Sequence, residues 1–255
     1  MQFRGAHALI TGANRGFGSH FVAALLARGA ERVYAAARRI DTLADAVEYH
    51  GERVFPVQLD VTDEETVRRL ADDLPDVDIV VSNAGQTCKF PVLQEHAEQE
   101  FRSALEVNFF GPLSLVRAFA PHLARHRGGI LFVQSLAALV ISRSSPIYSA
   151  SKAAAMMLAA GVRAELRTDG VTVTSTFPGF IDTDMTTGLD IPKVPPRSVA
   201  DRSLDAFAAG RSTVFPDRLA ELVENAVTQD MAAVLDDPQD VMTRLIRAFR
   251  LDPTG

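Results

Sequence analysis

The sequence predicts an α/β protein: a doubly wound parallel sheet of about seven strands, with helices on both faces in three α/β/α layers. Three observations predict it. Short apolar runs alternate along the chain with longer helical patterns. The runs are continuous in Val, Ile, Leu and Ala, as strands covered on both faces must be. A cluster of glycines joins the first run to the first helical pattern.

In order, the strand-like runs are 7–11, 32–37, 53–59, 78–82, 130–134 and 171–177, each read as buried on both faces. Helical patterns fall near 17–28, 41–49, 63–74, 97–124 and 147–168. This alternation argues a parallel sheet. A seventh strand is expected at 212–215, and 217–250 reads as one or two amphipathic C-terminal helices. With 255 residues and 47% hydrophobic content, residues 1–255 are expected to form a single domain. The prolines of 191–198 read as a loop, because a boundary there would leave a C-terminal piece with a very small core.

Composition removes several functional classes. A net charge of -6 offers no field for nucleic acid or an anionic membrane. The one cysteine, Cys88, excludes a disulfide framework and a multi-cysteine metal site, and the six histidines have no ligand spacing, so no metal is expected. No run is long enough to span a bilayer and no leader-like start is seen, so the expectation is a cytoplasmic protein.

The glycine cluster reads Thr11-Gly12-Ala13-Asn14-Arg15-Gly16-Phe17-Gly18. Taken alone, such a cluster is as consistent with a tight strand-helix turn as with a ligand site. Its place in the first strand-helix unit favours a dinucleotide's phosphates, because glycines admit the pyrophosphate and a helix N-terminus presents free N–H groups. No Gly-Lys-Ser/Thr follows, which disfavours a nucleotide triphosphatase.

Tyr148 and Lys152 are four apart at the start of a helical pattern and so share a face. A phenol near pKa ~10 is a poor acid-base catalyst, and a neighbouring ammonium is expected to lower it. Lys89, Lys152 and Lys193 are the only lysines in a chain that otherwise uses arginine, so Lys152 suggests a task for a compact charge with an adjustable pKa. Ser135, at a strand's carboxyl end, would share the ligand edge of the sheet with the glycine turn. No G-x-S-x-G surrounds it, so it is not read as a hydrolase nucleophile.

Together these residues resemble the short-chain dehydrogenase/reductase family, in its single-domain branch, over nearly the whole chain. The resemblance implies a Rossmann-like fold and an NADP(H)-dependent oxidoreductase of carbonyl-reductase type, with Asn108, Ser135, Tyr148 and Lys152 catalytic. It implies a cofactor site at Gly12, Asn14, Arg15, Gly16, Phe17, Gly18, Arg38, Asp60 and Val61, the Asn83-Ala84-Gly85 motif, Tyr148 and Lys152, Pro178, Gly179 and Thr183. Asp60 would lie beside the adenine ring, Thr183 at the nicotinamide carboxamide, and Asn108 would anchor a water leading from the lysine to solvent. Gln134 and Ser82 depart from the commoner family residues and are expected not to touch the chemistry.

Cofactor choice is read at the end of the second strand. NAD-selective enzymes usually place a carboxylate there; here Ala37 stands in that place, followed by Arg38, whose guanidinium suits a 2′-phosphate. Arg15 could approach the same phosphate, and Asp41 is the residue that argues the other way. The substrate is expected to be a small carbonyl or alcohol of apolar character, lined by 86–90, 136–142 and a loop at 182–197. The resemblance implies a homodimer or homotetramer. The competing reading is a non-catalytic NADP-binding regulator on the same fold, which the intact Ser-Tyr-Lys set opposes.

Overall fold

The computed structural model describes residues 1–141 and 145–252. One parallel sheet runs in the order β3-β2-β1-β4-β5-β6-β7. Its strands are β1 (His7–Thr11), β2 (Arg32–Ala37), β3 (Val54–Gln58), β4 (Ile79–Ser82), β5 (Gly129–Val133), β6 (Thr172–Thr176) and β7 (Thr213–Val214). The six longer strands lie within a residue of the runs read from the sequence. The helices are α1 (Gly16–Ala27), α2 (Ala44–His50), α3 (Glu64–Asp73), α4 (Ala97–Leu105), α5 (Gly111–His126), α6 (Pro146–Leu166), α7 (Pro196–Ala208), α8 (Arg218–Gln229), α9 (Met231–Asp236) and α10 (Pro238–Leu251). No helix among the described residues is long and apolar enough to cross a membrane.

The sheet separates two apolar layers because side chains alternate along each strand. On β1, Ala8 and Ile10 face one layer, with Phe21, Leu25, Leu204 and Phe207. Leu9 faces the other, with Leu115, Phe119 and Leu123. A third apolar cluster joins Phe177, Leu219, Val223, Val234 and Phe249, and so seats α8, α9 and α10 on the carboxyl end of the sheet.

Four expectations are corrected. Strand β3 is not buried on both faces: only Val54 is buried, and Phe55 and Pro56 are exposed. It is the outer strand, the position where a proline is tolerated. Helix α7 begins at Pro196 inside the stretch read as loop; proline suits a helix's first turn, where its missing N–H is not needed. The C-terminal segment is three helices, because Asp230 and Asp237 each cap a new start by accepting from Ala233 N and Asp240 N. The helical stretch 97–124 is interrupted by a π-helical turn, Glu106–Phe110, which carries Asn108.

Asp217 ties the C-terminal helices to the sheet. It is 3% exposed. Its Oδ1 caps α8 by accepting from Ala220 N at 3.0 Å, and its Oδ2 accepts from Gly179 N at 2.8 Å. Asp217→Ala removes the cap and leaves a buried N–H unpaired, for a combined cost of about 2–3 kcal/mol. Thermal unfolding followed by circular dichroism is expected to shift down by roughly 4–10 °C; an unmoved midpoint would refute this role.

Candidate active site

The strand order reverses between β1 and β4, and their carboxyl ends open a crevice there. The glycine-rich turn leaves β1 at this point. Gly12 and Gly16 hold φ of +66° and +56°, a region costly for residues with a Cβ. Gly18 has a different reason: a Cβ there would stand 2.0 Å from the Gly12 carbonyl oxygen. The first turn of α1 has no side-chain cap and no acidic residue, so its N–H groups remain available to an anion.

Residues named from the sequence as cofactor contacts hold this turn in shape. Asn83 Nδ2 donates to Thr11 O at 2.8 Å and Gly12 O at 3.2 Å. Thr11 Oγ1 accepts from Asn83 N at 3.1 Å and Ala84 N at 3.0 Å. Asn14 is half-buried in the turn, and Phe17 packs its ring on Phe21, centroids 4.5 Å apart. Thr183 meets the turn from across the crevice: a Cβ on Gly16 would lie 3.7 Å from its methyl group. Arg15 pairs with Asp184 Oδ2 at 2.8 Å instead of standing free for a phosphate. Both side chains are exposed, so this pair is weak and exchangeable.

At the end of β2, Ala37 is buried and Arg38 is exposed. Asp41, the carboxylate that could compete for a ribose, is taken by Arg39 at 2.6 Å. No ion pair holds Arg38 among the described residues. Asp60 Oδ1 accepts from Thr62 N at 3.0 Å and Thr62 Oγ1 at 2.8 Å, shaping the loop after β3. Val61 is buried against Gly111, where a Cβ would come within 2.8 Å of it. Pro178 O accepts from Leu136 N at 3.3 Å, so the segment after β6 is tied to the one after β5.

Tyr148 and Lys152 come from the first turns of α6, and Ser135 from the end of β5. A hydrogen bond joins the side chains of Ser135 and Tyr148. Burial pushes the Tyr148 phenol above its ordinary pKa, and the bond to Ser135 pulls it partly back. Lys152 is 6% exposed, and burial brings its ammonium down to about 8. Its Nζ donates to Val133 O at 3.1 Å. The sequence leads one to expect the ammonium to lower the tyrosine pKa; in the structure burial raises it, and the group that pulls it back is Ser135.

Asn108 is 1% exposed. Its Oδ1 accepts from Gln86 N at 2.9 Å, and its Nδ2 donates to Gln86 O and Ser151 Oγ, both at 2.9 Å. Ser151 donates in turn to Tyr148 O at 2.8 Å, linking Asn108 to the helix that carries the tyrosine. Sequence reasoning missed Ser151 and Asp217. The available signal for Ser151 was a small polar residue on the buried face of a helix, where its hydroxyl needs a partner. Gln134 and Ser82, expected to stand apart from the chemistry, both line one cavity with Asn108 and Lys152.

Where the sequence places the substrate, Tyr148 joins a small apolar cluster with Cys88, Phe90, Phe101, Ala104 and Ile147. Leu136, Leu139 and Val140 pack with Phe177 and Phe180 in the third apolar cluster, and Ile141 is exposed. Ser142, the end of the expected 136–142 lining, lies outside the described residues. The expected substrate loop is closed at its base by Asp182 N donating to Val194 O at 3.0 Å and Val194 N donating to Phe180 O at 2.8 Å. Arg250 of α10 reaches Asp190 at its tip.

Comparison with known proteins agrees with this geometry. The short chain dehydrogenase family matches residues 6–192. The chain is 33% identical over 255 aligned positions to a 1-deoxy-11-beta-hydroxypentalenate dehydrogenase of Streptomyces avermitilis, covering 96% of this chain and 89% of that protein. It is 34% identical to an NADPH-dependent 1-acyldihydroxyacetone phosphate reductase of Saccharomyces cerevisiae over 73% of this chain, but spans only 64% of that protein's length. A short chain dehydrogenase from Burkholderia cenocepacia J2315, solved in complex with NADP, superposes with a TM-score of 0.87 at 39% identity, covering 92% of this chain and 98% of that one. The chain is thus a member of the short-chain dehydrogenase/reductase family.

Proposed function

We propose that the chain is an NADP(H)-dependent oxidoreductase that interconverts an apolar ketone or aldehyde and its alcohol, with Tyr148 as general acid and base. The observation that carries this reading is the convergence of Ser135, Tyr148 and Lys152 beside the crevice. A proton donor, a second hydroxyl bonded to it and a buried cation occupy the ligand edge of the sheet.

The residues present fit a dinucleotide. Glycines at three positions leave a cradle that a Cβ would strain or fill, α1 offers uncapped N–H groups, and Arg38 stands unpaired where a 2′-phosphate would sit. Gly12, Gly16, Gly18, Arg38 and Lys152 would hold the cofactor, with Asn83 and Ala84 supporting the turn. Names of relatives support the choice of NADP: the yeast relative is described as NADPH-dependent, and the Burkholderia structure contains NADP. When bound, the nicotinamide supplies or accepts the hydride.

The protein's own residues handle the proton. A carbonyl oxygen between the Ser135 and Tyr148 hydroxyls would accept hydrogen bonds from both, polarising the carbon. Tyr148 donates its proton to that oxygen as negative charge develops. The ammonium of Lys152 favours the phenolate that is left. Phe90, Phe101 and Ile147 on the tyrosine's flank exclude water and suit an apolar substituent. The Streptomyces relative is named as the dehydrogenase of a hydroxypentalenate, a hydroxylated carboxylate, which supports an alcohol as the substrate class.

Tyr148→Phe keeps the ring and loses the proton. Turnover of the best substrate from a panel of ketones, aldehydes and alcohols is expected to fall about 10²–10⁴-fold while NADPH still binds. Near-wild-type turnover in this variant would exclude the mechanism. Cofactor selectivity gives a second test. NADPH is expected to exceed NADH by at least ~10-fold in kcat/KM, about 1.4 kcal/mol, and Ala37→Asp with Arg38→Ile should reverse or abolish the preference. Equal use of both cofactors by the wild type would refute the assignment of Arg38.

A pH profile tests Lys152. Burial lowers its pKa, so the charged form persists only below about 8. Carbonyl reduction needs the proton and the cation, so its kcat/KM is expected to be level below that pH and to fall roughly tenfold per unit above it. A profile still level two units higher would show that no such group titrates in the site.

A further inference from the structure

Gln134 is 4% exposed. Its backbone N donates to Thr176 O at 2.8 Å, and its Nε2 donates to Ala155 O of α6 at 3.2 Å. The second bond fixes the amide's orientation, because a flipped side chain would set oxygen against oxygen. Oε1 is therefore the atom left over, and it has no hydrogen-bond partner among the described residues. A buried acceptor of this kind costs about 1–3 kcal/mol unless it is satisfied. Gln134 also lines a cavity with about 10 Å³ of room for water, and its other polar walls are Ser82, Asn108 and Lys152. That is close to the room one ordered water needs, and the polar walls supply its partners.

We propose that Gln134 holds an ordered water against Lys152, donating to Gln134 Oε1 and accepting from Lys152 Nζ, so that Gln134 acts as a positioning residue for the lysine. Ser82 and Gln134 both face this one cavity. The water adds an acceptor to a buried ammonium whose recorded protein acceptor is Val133 O. Charged groups do not compete for the role. Tyr148 is the titratable neighbour on α6; β4 brings Ser82, the loop after it Gly85, the π-helical turn Asn108, and the segment after β5 Gln134, none of them ionisable.

The inference rests on the reading of Tyr148 and Lys152 as the proton-handling pair, and its test has an arm that does not. A crystal structure of the wild type at about 1.5 Å is expected to contain a water within ~3.2 Å of both Gln134 Oε1 and Lys152 Nζ. Its absence overturns the proposal whether or not the enzyme reduces carbonyls. In the kinetic arm, Gln134→Met keeps the volume and removes the acceptor. The high-pH fall in kcat/KM for reduction should move to lower pH by about one unit, since the ammonium loses a hydrogen bond. Gln134→Ser, which keeps a hydroxyl and leaves room for water, should retain the wild-type limb. A purely structural role for the bond to Ala155 predicts a lower melting temperature in both variants with the limb unmoved. That result, or equal limb shifts in both variants, overturns the proposal.

Discussion

The site depends first on the clamp between the ends of β1 and β4. Thr11 and Asn83 exchange bonds in both directions: the threonine hydroxyl accepts two backbone N–H groups, while the asparagine amide donates to the carbonyls of Thr11 and Gly12. A reversal of strand order leaves a crevice with no ladder closing it above the last paired residues. The clamp closes that gap with side chains. It thereby holds Gly12 in its left-handed conformation and lets Gly18 approach the Gly12 carbonyl. Loosen it, and α1 no longer points its N-terminus into the crevice.

From this fixed rim Asn108, Tyr148 and Lys152 are positioned by short relays. Asn108 is carried on a π-helical turn, a local widening of the helix often found at functional sites. It spends both donors and its acceptor on Gln86 and Ser151, and Ser151 passes the restraint to the carbonyl of Tyr148. Three elements distant in sequence are thus connected by neutral polar groups, each with a partner. The buried ammonium of Lys152 is the costly member of the set. Burial lowers its pKa to about 8, because the interior resists the charge.

Much of this was legible in the sequence because it obeys local rules. Continuous apolar runs gave six strands nearly to the residue, and the spacing of Tyr148 and Lys152 put them on one helix face. What escaped were features decided by neighbours. Strand β3 has an apolar sequence, but its place at the sheet's edge, which no local pattern encodes, exposes Phe55 and Pro56. Helix α7 was hidden by prolines that serve as its start. Gln134 looked incidental because its neighbours in space, Lys152 and Ser82, lie far away in the chain. Arg15 was read from its place in the glycine-rich turn, and its partner Asp184 lies 169 residues away.

The two outer strands have a consequence for how copies of this protein can meet. An open sheet ordinarily offers unpaired N–H and C=O groups along its borders, a template on which another chain can polymerise. Here one border is β3, whose middle residue Pro56 has no N–H to donate. The other is β7, only two residues long. Neither offers an uninterrupted row of donors. Edge-on growth into fibrils is thereby discouraged at both ends, and ordered self-assembly is left to the helical faces.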